Sequence, residues 1–223
     1  MEGTLAEARR FWWRRRPSAS SLRREGWLWT GWTAGVVAVF AAPGALLLYL
    51  EPLTAPVALI CFAHGWLICG LYARRGARSV VAVGSDRSAA RAADADAGAE
   101  RVALGLLGDL LDHDRRELMQ TTGLALQRGR LGVWLVGEKG AMMVRPGGRR
   151  VDCWCVRVGE ADGLPAGDRV AHLLLALRED EAGFATVANL DFSGAPWRVR
   201  RHMAAPQRLA LASAREAARS MAR

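Results

Sequence analysis

Two long uncharged stretches near the beginning dominate the apolar pattern of this 223-residue chain. Trp27–Leu50 and Leu53–Tyr72 are separated only by Glu51-Pro52, and neither stretch contains an Asp, Glu, Lys or Arg residue. Each has about 20 residues or slightly more, which a helix needs to cross a hydrocarbon core of roughly 30 Å. The pattern therefore predicts a transmembrane hairpin, with helices over residues 27–50 and 53–72.

After the hairpin, residues 73–98 shift to Ala, Asp, Ser and Gly, which predicts a linker. Over residues 99–120 apolar positions recur every three or four residues, which is typical of an amphipathic helix. Gly123 is expected to end that helix. Its apolar stripe consists of Ala103, Leu106, Leu107, Leu110, Leu111 and Leu118.

From Leu131 onward the pattern becomes that of strands. The runs LGVWLVG, AMMVR and VDCWCVRV are separated by glycine-rich turns, and this predicts a three-stranded antiparallel meander. Val170–Leu177 is continuously apolar, and we interpret it as a strand paired with Phe184–Phe192; a buried helix is the alternative. Ala204–Ala222 is predicted to be a helix.

Together these elements predict a membrane-anchored α+β protein. The hairpin is followed by a cytoplasmic domain over residues 99–223, in which an antiparallel sheet of about five strands is flanked by an N-terminal and a C-terminal helix on one face. A segment of this size is large enough for one domain with its own core. We therefore expect residues from about Ala99 onward to fold without the membrane.

The arginines predict the orientation of the hairpin. The chain has a formal net charge of +9, and Arg74, Arg75 and Arg78 follow the second stretch, whereas the turn between the stretches has no basic residue. The arginines before the first stretch are Arg9, Arg10, Arg14, Arg15, Arg16, Arg23 and Arg24. Because cytoplasmic flanks carry such an excess, we expect a multi-pass protein of the inner (plasma) membrane with both termini in the cytoplasm.

One alternative and one supporting feature bear on this interpretation. A cleaved signal peptide is the competing interpretation of residues 1–50, but the apolar run is too long for its hydrophobic region. Trp27, Trp29, Trp32 and Tyr49 fit the aromatic belts at the two ends of a span. The single lysine beside many arginines indicates GC-rich codon usage of a bacterial kind.

Two groups of arginines are candidates for contact with anionic lipid of the inner leaflet. Arg14, Arg15 and Arg16 belong to a basic, aromatic juxtamembrane segment over residues 1–26, which suits a membrane surface. The second group, Arg208, Arg215 and Arg219, shares one face of the last helix, opposite Ala214, Ala217, Ala218 and Met221. An ordinary solvated face is the alternative, and nucleic acid is not expected as a partner because no aromatic platform interleaves these arginines.

Within the second span, His64 is a candidate functional residue, because ionisable groups at membrane depth are often functional. A hydrogen bond that packs two helices together is the alternative role. Cys61 and Cys69 lie near His64 on a helical wheel, but the first span supplies no fourth ligand, so we expect no metal site.

The candidate metal ligands of the cytoplasmic part have plainer interpretations. Five residues in the same predicted helix as the leucine stripe resemble metal ligands: Asp109, Asp112, His113, Asp114 and Glu117. We interpret them as a solvated face, with Asp112 paired to Arg116 one turn later. Cys153 and Cys155 alternate along one strand and are expected to be small core residues, since a disulfide does not suit a reducing compartment.

No catalytic or nucleotide motif is present, and no cofactor is implied. The run GVWLVGEKG lacks the Ser or Thr of a phosphate loop and precedes a strand. Gly98-Ala99-Glu100-Arg101 before a leucine-rich helix and strands resembles membrane-linked nuclease-related domains, but the strands lack the acidic pair and the Glu-x-Lys that hold a metal in such nucleases.

The sequence therefore favours a non-enzymatic module at the inner membrane face that binds a protein partner or associates with itself. The alternative is a membrane-tethered enzyme, a divergent hydrolase or nuclease-like protein whose motif is no longer recognisable. A pocket that joins Asp152, Glu138 and His172 would favour the enzyme.

Overall fold

The computed structural model describes residue 14 and residues 16–80, 97–156 and 164–222. Two long helices, α1 (Ala19–Leu50) and α2 (Ala55–Arg78), are joined by a single 3₁₀ turn (Pro52–Thr54) and pack against each other. Both are long and apolar enough to cross a membrane, as judged by length and composition. The prediction of two apolar helices in a hairpin is confirmed, and both continue beyond the uncharged stretches.

Small residues let the two helices of the hairpin approach closely. A Cβ atom added to Gly44 of α1 would lie 3.1 Å from the ring of Phe62, and one added to Gly65 of α2 would lie 3.4 Å from the Cβ of Phe40. Close backbone approach at glycine is how helices associate where lipid surrounds them. Ser18 caps α1, because its side chain accepts a hydrogen bond from the backbone N–H of Ser21.

The rest of the described chain is built around a five-stranded sheet in the order β1-β2-β3-β4-β5, in which every neighbouring pair is antiparallel. The strands are β1 (Ala125–Arg128), β2 (Val133–Gly137), β3 (Gly140–Val144), β4 (Val151–Cys155) and β5 (Asn189–Gly194). The antiparallel sheet and its three-stranded meander are confirmed. Gly137 pairs with Gly140 across a tight turn, so a strand follows the GEKG run.

The predicted strand over Val170–Leu177 is wrong, and the alternative of a buried helix is right. This segment lies in α5 (Ala166–Glu179), which buries four residues spaced by three and four positions, Val170, Leu173, Leu174 and Leu177. That spacing places all four on one side of a helix, while Leu175 between them is 48% exposed. The fifth place in the sheet is taken by β1, which the sequence did not predict.

Two further boundaries differ from the expected ones. The predicted helix over residues 99–120 is divided into α3 (Ala97–Asp109) and α4 (His113–Thr122), and Gly123 ends α4 with φ = 70°. The side chain of Asp112 caps α4 by accepting from the N–H of Arg115 and forms an ion pair with Arg115, not with Arg116. The first part of the predicted strand over Phe184–Phe192 belongs to α6 (Glu181–Val187), which Asp180 caps.

Helices cover both faces of the sheet instead of the one face expected. On one face, α2 and α8 (Ala205–Ser220) pack with α7 (Pro196–Arg200) against Phe192, Leu135 and Met142. On the other face, α3, α5 and α6 pack against Trp134 and Trp154. The predicted C-terminal helix is confirmed as α8. Of the predicted linker, residues 73–78 belong to α2 and residues 81–96 lie outside the described residues.

Candidate functional site

The ends of the two long helices that lie farthest from the Glu51-Pro52 turn are docked on the β5 side of the sheet. Strand β5 is an edge strand of the sheet, and both α1 and α2 contact it, while α2 also contacts β4 and α7. Leu22 of α1 belongs to one core cluster of the sheet, and Ala73, Ala77 and Val80 belong to the other. We call these contacts of α1 and α2 with β4, β5 and α7 the docking interface. It joins both long helices to the β5 side of the sheet.

The centre of the docking interface is a close approach between α2 and β5. A Cβ atom added to Gly76 would lie 2.4 Å from the Cβ of Phe192, so glycine is required at this point. The ring of Trp29 lies 6.0 Å from that of Phe192 and 6.1 Å from that of Tyr72, in edge-to-face arrangements. We call the sheet and the helices around it, residues 97–156 and 164–222, the sheet domain. Trp29 therefore packs against the sheet domain, although its sequence position also fits an aromatic belt.

Arginine side chains hold the hairpin and the sheet domain together by hydrogen bonds to backbone carbonyl groups of α1 and α2 and to one threonine hydroxyl. The guanidinium of Arg150, next to β4, donates through Nη1 to the carbonyl oxygen of Gly26 at 2.6 Å and through Nη2 to the hydroxyl of Thr30. Arg198 of α7 donates through Nη2 to the carbonyl oxygen of Cys69 at 2.9 Å. Burial, and then repulsion by Arg145, lower the pKa of Arg150, but an arginine starts so high that it stays charged.

A buried ion pair lies directly behind this interface. Asp152 has no exposed surface, and its carboxylate accepts two hydrogen bonds from Arg145, Nε to Oδ2 at 2.5 Å and Nη2 to Oδ1 at 2.8 Å. Ser193 of β5 links the pair to Arg150, because both arginines donate to its hydroxyl. Such a two-pronged contact fixes geometry. Asp152 is therefore a structural carboxylate that positions the interface.

Glu181 is a second buried carboxylate, and the sequence carries no signal for its role. It accepts hydrogen bonds from the backbone N–H of Arg130 at 2.7 Å, from that of Leu131 at 3.1 Å and from Nε1 of Trp134 at 2.5 Å. A Cβ atom at Gly129 would collide with it. Glu181 thus fastens the β1–β2 loop to the start of α6.

The structure does not bring together the three residues that would have favoured an enzyme. A cleft of about 390 Å³ is lined mainly by arginines and acidic residues of the β1–β2 loop and the end of α5, and a second of about 300 Å³ lies between α3, α4 and α5. Glu138 lines the second cleft, whereas Asp152 and His172 line neither. Within the described ranges, no group of His, Cys, Asp and Glu side chains is arranged to hold a metal ion.

The N-terminal candidate arginines contact the sheet domain. Arg14 donates to the carbonyl oxygen of Thr186 and to Oδ1 of Asn189, each at 3.2 Å. Arg16 forms an ion pair with Asp180 at 3.2 Å. Arg15 lies outside the described residues. Arg14 and Arg16 therefore contact other residues of this chain, although the sequence made them candidates for contact with lipid.

The arginines of α8 also have partners within the protein. Arg208 donates to the carbonyl oxygen of Met203 at 3.0 Å, Arg215 to that of Gly148 at 3.2 Å, and Arg219 to the carboxylate of Glu216 at 2.7 Å. The opposite face of α8 is buried through Ala210, Leu211, Ala214 and Ala218. The polarity of the helix is as the sequence predicts, and contact of the arginines with lipid stays a prediction.

Within α2, the Nδ1 atom of His64 lies 2.8 Å from the carbonyl oxygen of Ile60, one turn earlier, and its ring stacks on Phe40 of α1 at 6.0 Å. This contact joins the two helices of the hairpin.

Cys153 is fully buried in the core beside Phe192, which confirms it as a small core residue. Burial raises the pKa of its thiol well above the usual value, so it stays protonated and unreactive.

Comparison with known proteins adds no family to this geometry. No protein-family model matches the chain, and neither a curated protein nor a solved structure is found to be similar to it.

Proposed function

We propose that this chain is a two-span protein of the inner membrane that holds a small α+β domain against the cytoplasmic face, where the domain binds a protein partner or a second copy of the chain. The observation that carries the proposal is the docking interface. Helix α2 runs without a break from an apolar, membrane-length stretch into the core of the sheet domain, where Ala73 and Ala77 are buried. A continuous helix fixes the domain relative to the span.

An exposed apolar surface on the sheet domain supports the binding part of the proposal. Val102 and Leu106 lie one turn apart on α3 and are 63% and 58% exposed, and Leu175 on the neighbouring α5 is 48% exposed. Solvent-exposed surfaces of proteins seldom carry neighbouring large apolar side chains unless a binding partner covers them. The enzymatic alternative has no comparable support, because Asp152 is held in an ion pair and His172 is exposed.

Reporter fusions test the membrane placement. Fusions after Met1, within the Glu51-Pro52 turn and after Arg223 should report inside, outside and inside, because basic flanks stay in the cytoplasm. A periplasmic signal from the fusion after Arg223 would overturn the proposal.

A matched pair of variants tests the binding role. Replacing Val102 and Leu106 by Ser should abolish self-association, or the cross-linking of a partner, in membranes and in mild detergent. Replacing Leu209 and Met221, which are 60% and 36% exposed on and directly after α8, by Ser should leave it intact. Equal behaviour of the two double variants would contradict a role for α3 in binding.

A further inference from the structure

Helix α7 brings a tryptophan and a basic cluster to the end of the second span, a feature that the sequence analysis missed. Arg198 of α7 is bonded to the carbonyl oxygen of Cys69, which lies one turn before the end of the uncharged stretch at Tyr72. Because α2 rises by 1.5 Å per residue, Arg74 and Arg78 follow Cys69 by roughly 8 Å and 14 Å along its axis. The level of α7 is thus tied to the level at which α2 leaves the apolar stretch.

Trp197 is placed as an interfacial side chain. It is 56% exposed, although α7 itself is packed through Pro196 and Val199. The guanidinium of Arg201 lies 4.7 Å from the centre of its ring. An amphipathic ring that is exposed beside the end of a span is typical of the headgroup region.

Basic residues outnumber acidic residues around α7. Arg74, Arg78 and Arg201 are exposed, and after burial their positive charges contribute to the lowered pKa of His202, which follows directly after Arg201. No acidic residue occurs in residues 52–85 or in residues 192–215. The nearby Asp191 is already paired with Arg75 at 3.4 Å. The cluster therefore has an excess of positive charge at the level of the headgroups.

We propose that Arg74, Arg78 and Arg201, together with Trp197, form a binding surface for anionic lipid headgroups of the inner leaflet. This inference rests on the proposed function, since it requires that α1 and α2 span the membrane with α7 on the cytoplasmic side. Guanidinium groups bind phosphate oxygens by paired hydrogen bonds, and each arginine near an anionic surface contributes about a fivefold preference for it. The surface also holds the sheet domain close to the bilayer.

The test uses the full chain reconstituted in phosphatidylcholine vesicles that contain traces of spin-labelled phosphatidylglycerol or phosphatidylcholine. The measured quantity is the fraction of labelled phosphatidylglycerol that associates with the protein divided by the corresponding fraction of labelled phosphatidylcholine. This ratio should exceed one and should fall as the salt concentration rises. In the triple variant Arg74→Gln, Arg78→Gln, Arg201→Gln this ratio should drop by about fivefold or more. The matched control Arg101→Gln, Arg128→Gln, Arg130→Gln removes the same charge from α3 and from the opposite edge of the sheet, and it should keep the ratio.

Equal association of the two lipids with the wild-type protein, or equal loss in both triple variants, would overturn the inference. Loss of the preference in inorganic phosphate, but not in chloride of the same ionic strength, would also overturn it in favour of a site for free phosphate. Alkaline extraction of the membranes is the separate test of the hairpin. A protein that resists extraction but shows no lipid preference refutes this surface alone, and a protein that is extracted refutes the proposed function.

Discussion

Gly76 of α2 lies so close to Phe192 of β5 that a Cβ atom at position 76 would stand 2.4 Å from the Cβ of Phe192. No side chain fits at position 76 beside that of Phe192, and Phe192 is fully buried in the core of the sheet domain. The apolar hairpin and the sheet therefore share one packed interior. A substitution near the end of α2 is expected to alter the stability of the sheet domain as well.

Replacing Gly76 by Ala should destabilise the protein by about 1–3 kcal/mol, because the added methyl overpacks the contact with Phe192. The measurement is the midpoint of thermal unfolding in mild detergent. Gly70 is the matched control in the same helix, since a Cβ atom there meets nothing within 4 Å. Gly70→Ala should raise the midpoint slightly through helix propensity, and a fall of similar size in both variants would contradict close packing at Gly76.

Removing the carboxylate of Asp152 should be among the most damaging single changes. Asp152→Asn leaves the guanidinium of Arg145, which is 13% exposed, without its counter-charge, and losing one partner of a buried pair costs about 3–5 kcal/mol. The double variant Arg145→Met, Asp152→Leu should recover part of that loss, because it leaves no unpaired charge. Unfolding midpoints of the two variants decide this, and a double variant that is less stable than Asp152→Asn would refute it.

Glu181→Ala should loosen the β1–β2 loop, because three N–H groups lose their acceptor. Glu181→Gln keeps one acceptor oxygen and should have a smaller effect. Amide hydrogen exchange of Arg130 and Leu131 is the measurement, and it should accelerate at least tenfold in the Ala variant for a loss of about 1.4 kcal/mol. Glu179→Gln, at an exposed neighbouring position, serves as control and should leave the exchange unchanged.

Burial, and then repulsion by Arg74, Arg201 and Arg78, hold the pKa of His202 below its usual value of about 6.5. The folded state therefore binds fewer protons than the unfolded state near this pH, so stability falls as the pH drops through about 6.5 and the loss is complete below the pKa of the folded state. Arg78→Gln should raise the pKa of His202, as followed by the imidazole NMR signals. Arg128→Gln should not, and an equal shift in both variants would contradict a local cluster.

The parts of the fold that follow from local pattern were predictable, and those set by tertiary pairing were not. The two apolar helices, strands β2–β4 and the end of α4 at Gly123 each have a signal within a few residues. Strand β1 has none, since Ala125–Arg128 contains no β-branched residue and is a strand because it pairs with β2. Val170–Leu177 misled because a short apolar run fits a strand and a buried helix alike.

The candidate site was less predictable, because it depends on contacts between residues far apart in the chain. Arg150 meets Gly26 and Thr30, and Arg198 meets Cys69, across more than a hundred residues. The spacing of residues within a short segment does not predict such contacts. The same contacts bear on the expectation that residues from about Ala99 onward fold alone, since Ala73, Ala77 and Val80 complete the core on one face of the sheet.

Cross-linking in native membranes tests most directly that the hairpin and the sheet domain form one body there. In a chain whose other cysteines are replaced by Ala, Arg198→Cys should be joined to Cys69 by a short bismaleimide, because Arg198 contacts the backbone of Cys69. A protease site inserted within residues 81–96 then separates the two halves. The account predicts that the cleaved halves migrate together on a denaturing gel for Arg198→Cys and separately for the control Arg128→Cys; separate halves in both variants would contradict it.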